Sequence, residues 1–359
     1  MKQNPVLEIR NLSRTFAHGT VKAVDHIDLD VQPGEIVSIL GPSGCGKTTL
    51  MRIIAGLDSP TSGEVRILGK DVAGKPPHKR NVGLVFQSLA IFPHMSVKQN
   101  VAFGLRMQGL ASNLIETKIA KALELVQLSP EKFARRRPSE LSGGQLQRVA
   151  LARTLVTEPA LVLFDEPMAA LDRRLRDYMA VELRAIQKQL GIAAVYVTHD
   201  QETASMMSDR VIIMSAGKIL QAGTPEEIYD APNSRFVSDF LGDTNTLRIA
   251  RVLDQADGTS LVQTNAGLAI RVANCSDMAE GAFVIFRPEQ TVVHSTDPGG
   301  AFEGKVVSSQ FRSGLHRWQI VLPGGDTLIA QSTENRLASS ASDTAWVTID
   351  SGKARIVSQ

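Results

Sequence analysis

The first two thirds of the chain alternate short apolar runs with segments of helical periodicity. Ile36–Leu40 precedes the helical pattern Thr48–Ala55, and Leu161–Phe164 precedes Arg173–Leu190 and Ala193–Val197. Apolar runs of this length, separated by helices, are typical of a parallel sheet whose faces are covered by helices. The pattern therefore predicts an α/β fold for this part of the chain.

The final third lacks the helical period, and its polar and apolar residues alternate as they do in strands. Turn-forming sequences such as 297–300 (Asp-Pro-Gly-Gly) and 323–325 (Pro-Gly-Gly) separate its apolar runs. Many short strands joined by such turns predict one small β-barrel or a pair of them. The predicted strands are Leu247–Leu253, Ser260–Gln263, Leu268–Val272, Phe283–Phe286, Lys305–Ser308, Arg317–Val321, Thr327–Ala330 and Trp346–Ile349.

A boundary between the two parts is predicted near Gly242. Residues 224–227 (Thr-Pro-Glu-Glu) have the pattern of a capping box with proline at the first helical position. An apolar helical stripe then occupies residues 236–241 and stops at the glycine, so that one final helical segment closes the first domain. The predicted domains are residues 1–242 and 243–359.

Composition limits the class of protein. The 359 residues, 43% hydrophobic and 21% charged, give room for two domains and exclude a disordered chain or a coiled-coil rod. The cysteines, Cys45 and Cys275, are too few for a disulfide framework or a zinc site and indicate a reducing compartment. The N-terminal residues lack the apolar core of a signal peptide, and no apolar run is long enough to span a membrane. Any association with a membrane is therefore expected to go through a partner protein.

Charge is nearly balanced over the whole chain but differs between its parts. Lys and Arg number 39 and Asp and Glu 37, which gives a formal net charge of +2. Residues 1–242 carry 29 basic and 25 acidic side chains and the remainder 10 and 12, so the parts carry +4 and −2. Proteins that hold nucleic acid through its phosphates are usually far more basic. No nucleic-acid partner is therefore predicted.

A glycine-rich loop lies between the first predicted strand and the first predicted helix. Residues 41–48 (Gly-Pro-Ser-Gly-Cys-Gly-Lys-Thr), here called the phosphate loop, fit the pattern G-x-x-x-x-G-K-[ST]. Its glycines let backbone N–H groups face phosphate oxygens, while Lys47 supplies positive charge and Thr48 a hydroxyl ligand for Mg²⁺. A glycine-rich turn without a ligand is the alternative, but the flanking strand and helix favour phosphate binding. The expected nucleotide-binding residues here are Gly41, Ser43, Gly44, Cys45, Gly46, Lys47, Thr48 and Thr49.

Two acidic residues follow the apolar run 161–164. Asp165 directly follows this run and therefore lies at the carboxyl end of a predicted strand, where α/β sheets bind ligands. The carboxylate of Asp165 is a candidate Mg²⁺ ligand. Glu166 is the candidate base that orients the attacking water. Alone, the two acids fit a solvated turn equally well, and it is the phosphate loop that favours the catalytic interpretation.

A second anion site is predicted at residues 141–145 (Leu-Ser-Gly-Gly-Gln), here called the signature segment. A serine and two glycines at the start of a helix present N–H groups and the positive end of the helix dipole. A plain serine N-cap is the alternative. The residues expected to bind nucleotide here are Ser142, Gly143, Gly144 and Gln145.

Together these motifs resemble the ATP-binding cassette (ABC) ATPases over residues 4–242. The resemblance implies a P-loop NTPase fold with an antiparallel subsheet and a helical subdomain at about residues 90–158. It implies ATP and Mg²⁺ as cofactors. Because the signature segment of this family completes the site of a second cassette, it also implies a homodimer.

The same resemblance assigns roles to single residues. Gln87 matches the glutamine that senses the metal and the γ-phosphate, Asp172 the D-loop formed with Ala170 and Leu171, and His199 the switch histidine. Phe16 is similar in place to the aromatic residue that stacks on adenine. The implied catalytic residues are Glu166, His199, Lys47 and Gln87, and the implied metal ligands are Thr48, Gln87 and Asp165.

The strand-rich tail narrows the resemblance to import-type subunits of the maltose, polyamine and ferric-iron transporter group. Their C-terminal domain is OB-like, of the TOBE type, and residues 287–289 (Arg-Pro-Glu) resemble one of its motifs. Implied partners are two integral-membrane permease subunits and, indirectly, a periplasmic or extracellular solute-binding protein. The implied location is the cytoplasmic face of the inner membrane, where the chain is peripheral. Residues 240–245 (Phe-Leu-Gly-Asp-Thr-Asn) favour the polyamine branch (spermidine and putrescine), with ferric iron, aminophosphonate and sugar import as rivals.

Two questions stay open at this stage. A soluble ABC ATPase that acts on nucleic acid or ribosomes is the alternative class, with the barrel as an RNA-binding module. Such proteins usually carry two cassettes or a long coiled-coil insertion, and the tail is acidic, so the importer is favoured. Leu89, Ile91, Phe92 and Met95 either line a groove for the permease or pack inside the helical subdomain.

Overall fold

The computed structural model describes residues 4–16, 19–169, 171–256, 259–273, 281–335, 337, 344–350 and 352–357. By its internal contacts the chain divides into two compact units, residues 1–225 (unit 1) and 226–359 (unit 2). Among the described residues, no helix is long and apolar enough to cross a membrane. Cys275, one of the cysteines considered above, lies outside the described residues.

Unit 1 contains an antiparallel sheet, a largely parallel sheet and a group of helices. Its strands are β1 (Leu7–Phe16), β2 (Val21–Val31), β3 (Ile36–Leu40), β4 (Ser62–Ile67), β5 (Lys70–Asp71), β6 (Val82–Val85), β7 (Leu161–Asp165), β8 (Ala193–Val197), β9 (Arg210–Ser215) and β10 (Lys218–Gly223). Its helices are α1 (Lys47–Ala55), α2 (Val97–Met107), α3 (Ser112–Leu125), α4 (Pro130–Phe133), α5 (Gly143–Leu155), α6 (Arg173–Leu190) and α7 (Gln201–Met207).

The two sheets of unit 1 confirm the predicted α/β fold and its antiparallel subsheet. The antiparallel sheet has the order β2-β1-β4-β5, and the second sheet the order β10-β9-β3-β8-β7-β6. In the second sheet β3, β6, β7, β8 and β9 run parallel to one another. Every residue of β3 and β8 is buried, as expected for strands covered by layers on both faces.

Unit 2 is predominantly β-structure, as predicted for an OB-like domain. Helices α8 (Pro225–Asp230) and α9 (Arg235–Phe240) are followed by β11 (Asn245–Ala256), β12 (Thr259–Thr264), β13 (Ala269–Ala273), β14 (Phe283–Phe286), β15 (Thr291–His294), β16 (Phe302–Arg312), β17 (Leu315–Val321), β18 (Thr327–Ser332), β19 (Thr344–Ile349) and β20 (Arg355–Val357). Two five-stranded sheets, ordered β13-β12-β11-β14-β20 and β15-β19-β16-β17-β18, share one core in which Trp318 is fully buried.

The segment before Gly242 differs from its prediction. It forms two short helices, because Pro232 interrupts the pattern and the side chain of Ser234 caps the start of α9. The apolar stripe is only partly buried, since Val237 is buried whereas Phe236 is exposed. Both helices belong to unit 2 except for Pro225, the first residue of α8, so the compact units separate earlier in the chain than residue 242. The functional domains 1–242 and 243–359 stay a prediction.

Candidate functional site

The carboxyl ends of neighbouring parallel strands bring the predicted motifs to one edge of the sheet. Val85 pairs with Phe164, and Val197 pairs with both Asp165 and Ile39. Beyond these positions the four strands continue into Gln87, Glu166, His199 and the phosphate loop. Open α/β sheets bind their ligands at this edge.

The phosphate loop leaves β3 and enters α1 as predicted, and α1 begins at Lys47, one residue before its predicted start. Gly46 caps the helix at a φ of 109°, and a Cβ atom added there would lie 2.0 Å from the carbonyl oxygen of Ala23. Only glycine fits this position. The helix ends where Gly56 adopts a left-handed conformation, as predicted.

Lys47 folds back over the loop and is almost fully buried. Its Nζ donates to the carbonyl oxygens of Gly41 at 2.7 Å and Pro42 at 3.0 Å, and the Sγ atom of Cys45 lies 3.8 Å away. A Cβ atom added at Gly44 would meet no atom within 4 Å, so the loop is open at this point. The loop therefore combines a fixed ammonium group, an open approach and a helix N-terminus, which are the features that an anion requires. Of the remaining loop residues, Ser43 and Thr48 are exposed and Thr49 is half-buried.

Asp165 and Gln87 lie at the ends of adjacent strands. Burial and the negative charge of Glu166 raise the pKa of Asp165, while Arg52 and Lys47 act in the opposite direction. Gln87 is exposed in the turn after β6. Together with the Thr48 hydroxyl these side chains offer only oxygen ligands, which is the donor set that Mg²⁺ prefers.

Glu166 and His199 form a direct pair. The Oε2 atom of Glu166 lies 3.1 Å from Nδ1 of His199. The glutamate is 23% exposed and the imidazole 65%, so the carboxylate is sheltered while the ring faces solvent. Glu166 has a φ of 44°, which is unusual for a residue other than glycine, and its N–H donates to the carbonyl oxygen of Val197 at 3.0 Å.

The signature segment begins α5 through a reciprocal capping box. Ser142 Oγ accepts from the Gln145 N–H at 3.4 Å, and Gln145 Oε1 accepts from the Ser142 N–H at 3.0 Å. Gly143 and Gly144 follow the cap in the first turn. Within the described part of the chain, no hydrogen bond or ion pair joins this segment to the phosphate loop. The described residues of one copy therefore do not bond the two predicted anion sites to each other.

Two other predicted residues are placed at element ends. Phe16 ends β1, is 37% exposed, and has the Arg14 guanidinium 4.5 Å above its ring. Asp172 is exposed and caps α6 by accepting from the Leu175 N–H at 3.0 Å. Ala170, the first residue of the predicted D-loop, lies outside the described residues.

Sequence reasoning missed arginines that hold the loops of the site. Arg153 of α5 donates to the carbonyl oxygens of Leu89 at 2.9 Å and Ala90 at 2.6 Å, just after Gln87, and burial lowers its pKa. Arg80 donates to the carbonyl oxygens of Ile53 and Ile54, and so holds the end of α1 that lies away from the phosphate loop. The one available signal was a lone cation within an apolar stretch, as in the Ala-Leu-Ala-Arg-Thr-Leu sequence that contains Arg153.

The four apolar residues considered for a permease groove, Leu89, Ile91, Phe92 and Met95, are all half-buried. Ile91 packs against the core that includes residues of α2, α3 and α5, and the ring of Phe92 lies 4.8 Å from that of Phe103. The apolar residues that α2 exposes are Phe103, at 40%, and Met107, at 75%.

Comparison with known proteins agrees with this geometry. A family model described as "ABC transporter" matches residues 24–169. The spermidine/putrescine import ATP-binding protein PotA of Thermobifida fusca is 48% identical over 295 residues, which cover 80% of this chain and 74% of that protein. The chain belongs to the ABC transporter family. PotA of Mesorhizobium japonicum is 42% identical over 336 residues, which cover 92% of this cassette protein and 91% of the relative.

The structure of this chain also resembles that of a solved ABC cassette. The dimeric post-hydrolysis structure of the ATP-binding cassette MJ0796, bound to ADP and Pi, is 31% identical with a TM-score of 0.54. The match covers 61% of this chain and 98% of that one. The predicted family, the fold class and the ATPase activity are thereby confirmed: this ABC protein binds and hydrolyses ATP.

Proposed function

We propose that the chain is the ATP-hydrolysing subunit of an importer for polyamines of the spermidine and putrescine type. The observation that carries this proposal is the Glu166–His199 pair at the same sheet edge as the phosphate loop. The transported solute is taken from the relatives, which are named as spermidine/putrescine import proteins and match unit 2 as well as unit 1.

ATP is held by the phosphate loop and the start of α1. Lys47 presents its ammonium group to the β- and γ-phosphates, and the N–H groups around Gly44 and Gly46 cradle their oxygens. Thr48, Asp165 and Gln87 hold Mg²⁺, which when bound neutralises charge on the phosphate oxygens. Phe16 stacks on the adenine ring.

Glu166 acts as the base in hydrolysis. It accepts a proton from water as the water oxygen bonds to the γ-phosphorus and the bond to the β,γ-bridging oxygen breaks, which releases ADP and phosphate. Lys47, Gln87 and His199 stabilise the charge that develops on the γ-phosphoryl oxygens. The 3.1 Å contact between Glu166 and His199 orients both groups toward the same point.

The assembly is a homodimer on two membrane permease subunits. Ser142, Gly143, Gly144, Gln145 and Asp172 complete the ATP site of the second copy, since in one copy the described residues do not bring the signature segment to the phosphate loop. The permease subunits hold the chain at the cytoplasmic face of the inner membrane. A solute-binding protein delivers polyamine from the other side.

Two substitutions test the ATPase mechanism. Glu166→Gln should leave ATP bound but lower turnover by about a thousandfold or more, because the base is lost. Lys47→Ala should abolish tight ATP binding. Glu202→Gln, which removes a nearby exposed carboxylate, serves as the control and should hydrolyse ATP normally. Near-normal hydrolysis by Glu166→Gln would contradict the assigned base.

Solute stimulation tests the transport role. The chain, reconstituted with its permease subunits in vesicles, should hydrolyse ATP faster when a binding protein loaded with spermidine or putrescine is added. Binding proteins loaded with ferric iron, aminophosphonate or sugar are the controls, and stimulation by one of them instead would refute the polyamine assignment. Co-purification with RNA and without permease subunits would refute the importer.

A further inference from the structure

One arginine outside the motifs joins the loop that carries Glu166 to the loop that carries His199. Arg176 lies in the first turn of α6. Its Nη2 atom donates to the carbonyl oxygen of Leu171 at 3.1 Å, and its Nη1 atom donates to the carboxylate of Asp200, the residue that follows His199. A single guanidinium group therefore holds both loops.

The two loops are also fixed close to the catalytic pair. The Glu166 N–H is bound to Val197, and the Asp200 carboxylate accepts from the Thr203 N–H at 2.8 Å, which caps α7. Asp200 also donates its own N–H to the Thr198 hydroxyl at 3.0 Å. The residues on either side of His199 are thus anchored, and its exposed ring is held by this backbone and by its contact with Glu166. Arg176 lines the same small pocket as Glu166, His199 and Asp200.

The ion pair of Arg176 with Asp200 differs from an ordinary surface pair in its burial and in the pKa of its carboxylate. The side chains of Arg176 and Asp200 are 25% and 21% exposed. Burial opposes ionisation of Asp200, but hydrogen bonds from Thr203 and Arg176 outweigh it and hold its pKa below the ordinary value. A second pair between the same two helices, Arg173 with Glu202, is 73% and 64% exposed, and such exposed pairs contribute little.

We infer that Arg176 is a positioning residue for ATP hydrolysis, which sets the placement of Glu166 relative to His199 without touching the nucleotide. The inference rests on the roles proposed above for these two residues. The loop of Glu166 also leads into Asp172, so the same guanidinium group connects the region expected to face a second copy with the hydrolytic pair. Small displacements of a catalytic group reduce turnover far more than they reduce binding.

The test measures kcat and KM for ATP hydrolysis, ATP binding and thermal unfolding of the full-length chain. Arg176→Ala should lower kcat about tenfold to a hundredfold, with KM and ATP affinity within about twofold of the parent. Arg176→Lys, which keeps the charge but offers a single donor group, should recover part of kcat. Arg173→Ala, the matched control on the same helix, should leave all four quantities unchanged.

A double-mutant cycle tests whether Arg176 acts through Asp200. Asp200→Asn keeps an oxygen that can cap α7 but loses the charge, and it should lower kcat as Arg176→Ala does. The double variant should be no slower than the slower single variant, because the two changes disrupt one interaction. Additive losses, or a parallel fall of kcat, ATP affinity and melting temperature, would overturn the inference.

The outcome separates this inference from the proposed mechanism. If Glu166→Gln is inactive while Arg176→Ala has the kcat of the parent chain, the positioning role is wrong and the base assignment stands. If Glu166→Gln itself remains active, the proposed base is wrong, and the positioning role of Arg176 is then refuted as well.

Discussion

At the scale of single residues, the conformation of the phosphate loop requires glycines at positions that leave no room for a side chain, and these glycines matter as much as Lys47. Gly46 has carbonyl oxygen 2.0 Å from where a Cβ atom would lie, and Gly41 has the Met214 carbonyl at 2.2 Å. Neither neighbour is a flexible side chain that can move aside. These two glycines therefore let the loop pack against β2 and β9.

Gly46→Ala should therefore lower the stability of unit 1 by more than about 3 kcal/mol and abolish ATP binding. Gly191→Ala is the matched control, because Gly191 also has a positive φ at a helix end but no atom lies within 4 Å of its added Cβ. It should cost only about 1 kcal/mol. Urea unfolding and ATP titration measure both effects, and equal losses in the two variants would show that backbone conformation, not crowding, restricts the loop.

At the scale of elements, Arg287 explains why α8 and α9 belong to unit 2. This arginine is 3% exposed and donates to the Ser238 carbonyl at 2.9 Å and the Thr244 hydroxyl at 2.6 Å. Its guanidinium also lies 4.2 Å above the ring of Tyr229. Burial and a hydrogen bond to Glu289 raise the pKa of Tyr229 to about 12, so the phenol stays protonated. One buried cation thus holds both helices and the start of β11 together.

Arg287→Ala should lower the stability of unit 2 by about 3 kcal/mol, since it leaves several buried acceptors without their donor. Both tryptophans of the chain, Trp318 and Trp346, lie in unit 2, so tryptophan fluorescence during urea unfolding reports on this unit alone. Arg271→Ala, which removes an exposed arginine bonded to the Thr259 hydroxyl, is the control and should change stability by less than about 0.5 kcal/mol. An unchanged midpoint for Arg287→Ala would contradict this role.

The elements were predictable where periodicity was long and uninterrupted. The structure has α6 and β8 at their predicted bounds, and each of the eight predicted strands of the tail has a counterpart. The strands β15 and β20 were missed: β15 (Thr-Val-Val-His) shows no strict alternation, and the three residues of β20 are too few to establish one. The motifs were predictable because phosphate chemistry needs particular residue types at fixed spacing.

The partners of the supporting arginines were not predictable for the opposite reason, although Arg287 itself belongs to the motif that the sequence offers at residues 287–289. Arg176, Arg153 and Arg287 bind carbonyl oxygens, which every residue offers, so no spacing of residue types marks their partners. Their partners also lie up to 64 residues away in the sequence. Contacts of this kind become visible only when the fold is known.

At the scale of the whole molecule, the separation of the signature segment from the phosphate loop predicts that two copies of the chain assemble around ATP. The signature segment starts a helix with its N–H groups near the surface, and the described residues provide no bond from it to the phosphate loop. A second copy that supplied this segment would add donors to the bound phosphates. ATP is then part of the interface between two chains.

ATP should therefore convert the Glu166→Gln chain from monomer to dimer, measured by light scattering after gel filtration. Adding Ser142→Arg should keep this chain monomeric while each copy still binds ATP. Ser96→Arg is the matched control, since Ser96 forms the same type of capping box at the start of α2 and its loss costs the same cap. A dimer that persists in the Ser142→Arg chain would place the interface elsewhere.

The left-handed backbone conformation of Glu166 lowers the stability of the fold, whereas its carboxylate is the base proposed for ATP hydrolysis. A glutamate at a φ of 44° costs about 1–2 kcal/mol relative to residues that tolerate this conformation. A laboratory selection for heat resistance alone should therefore enrich glycine or asparagine at position 166, and the enriched chains should be inert. A computational design that ranks residues by stability alone would make the same error, so this position must be held fixed in any attempt to engineer a more stable protein.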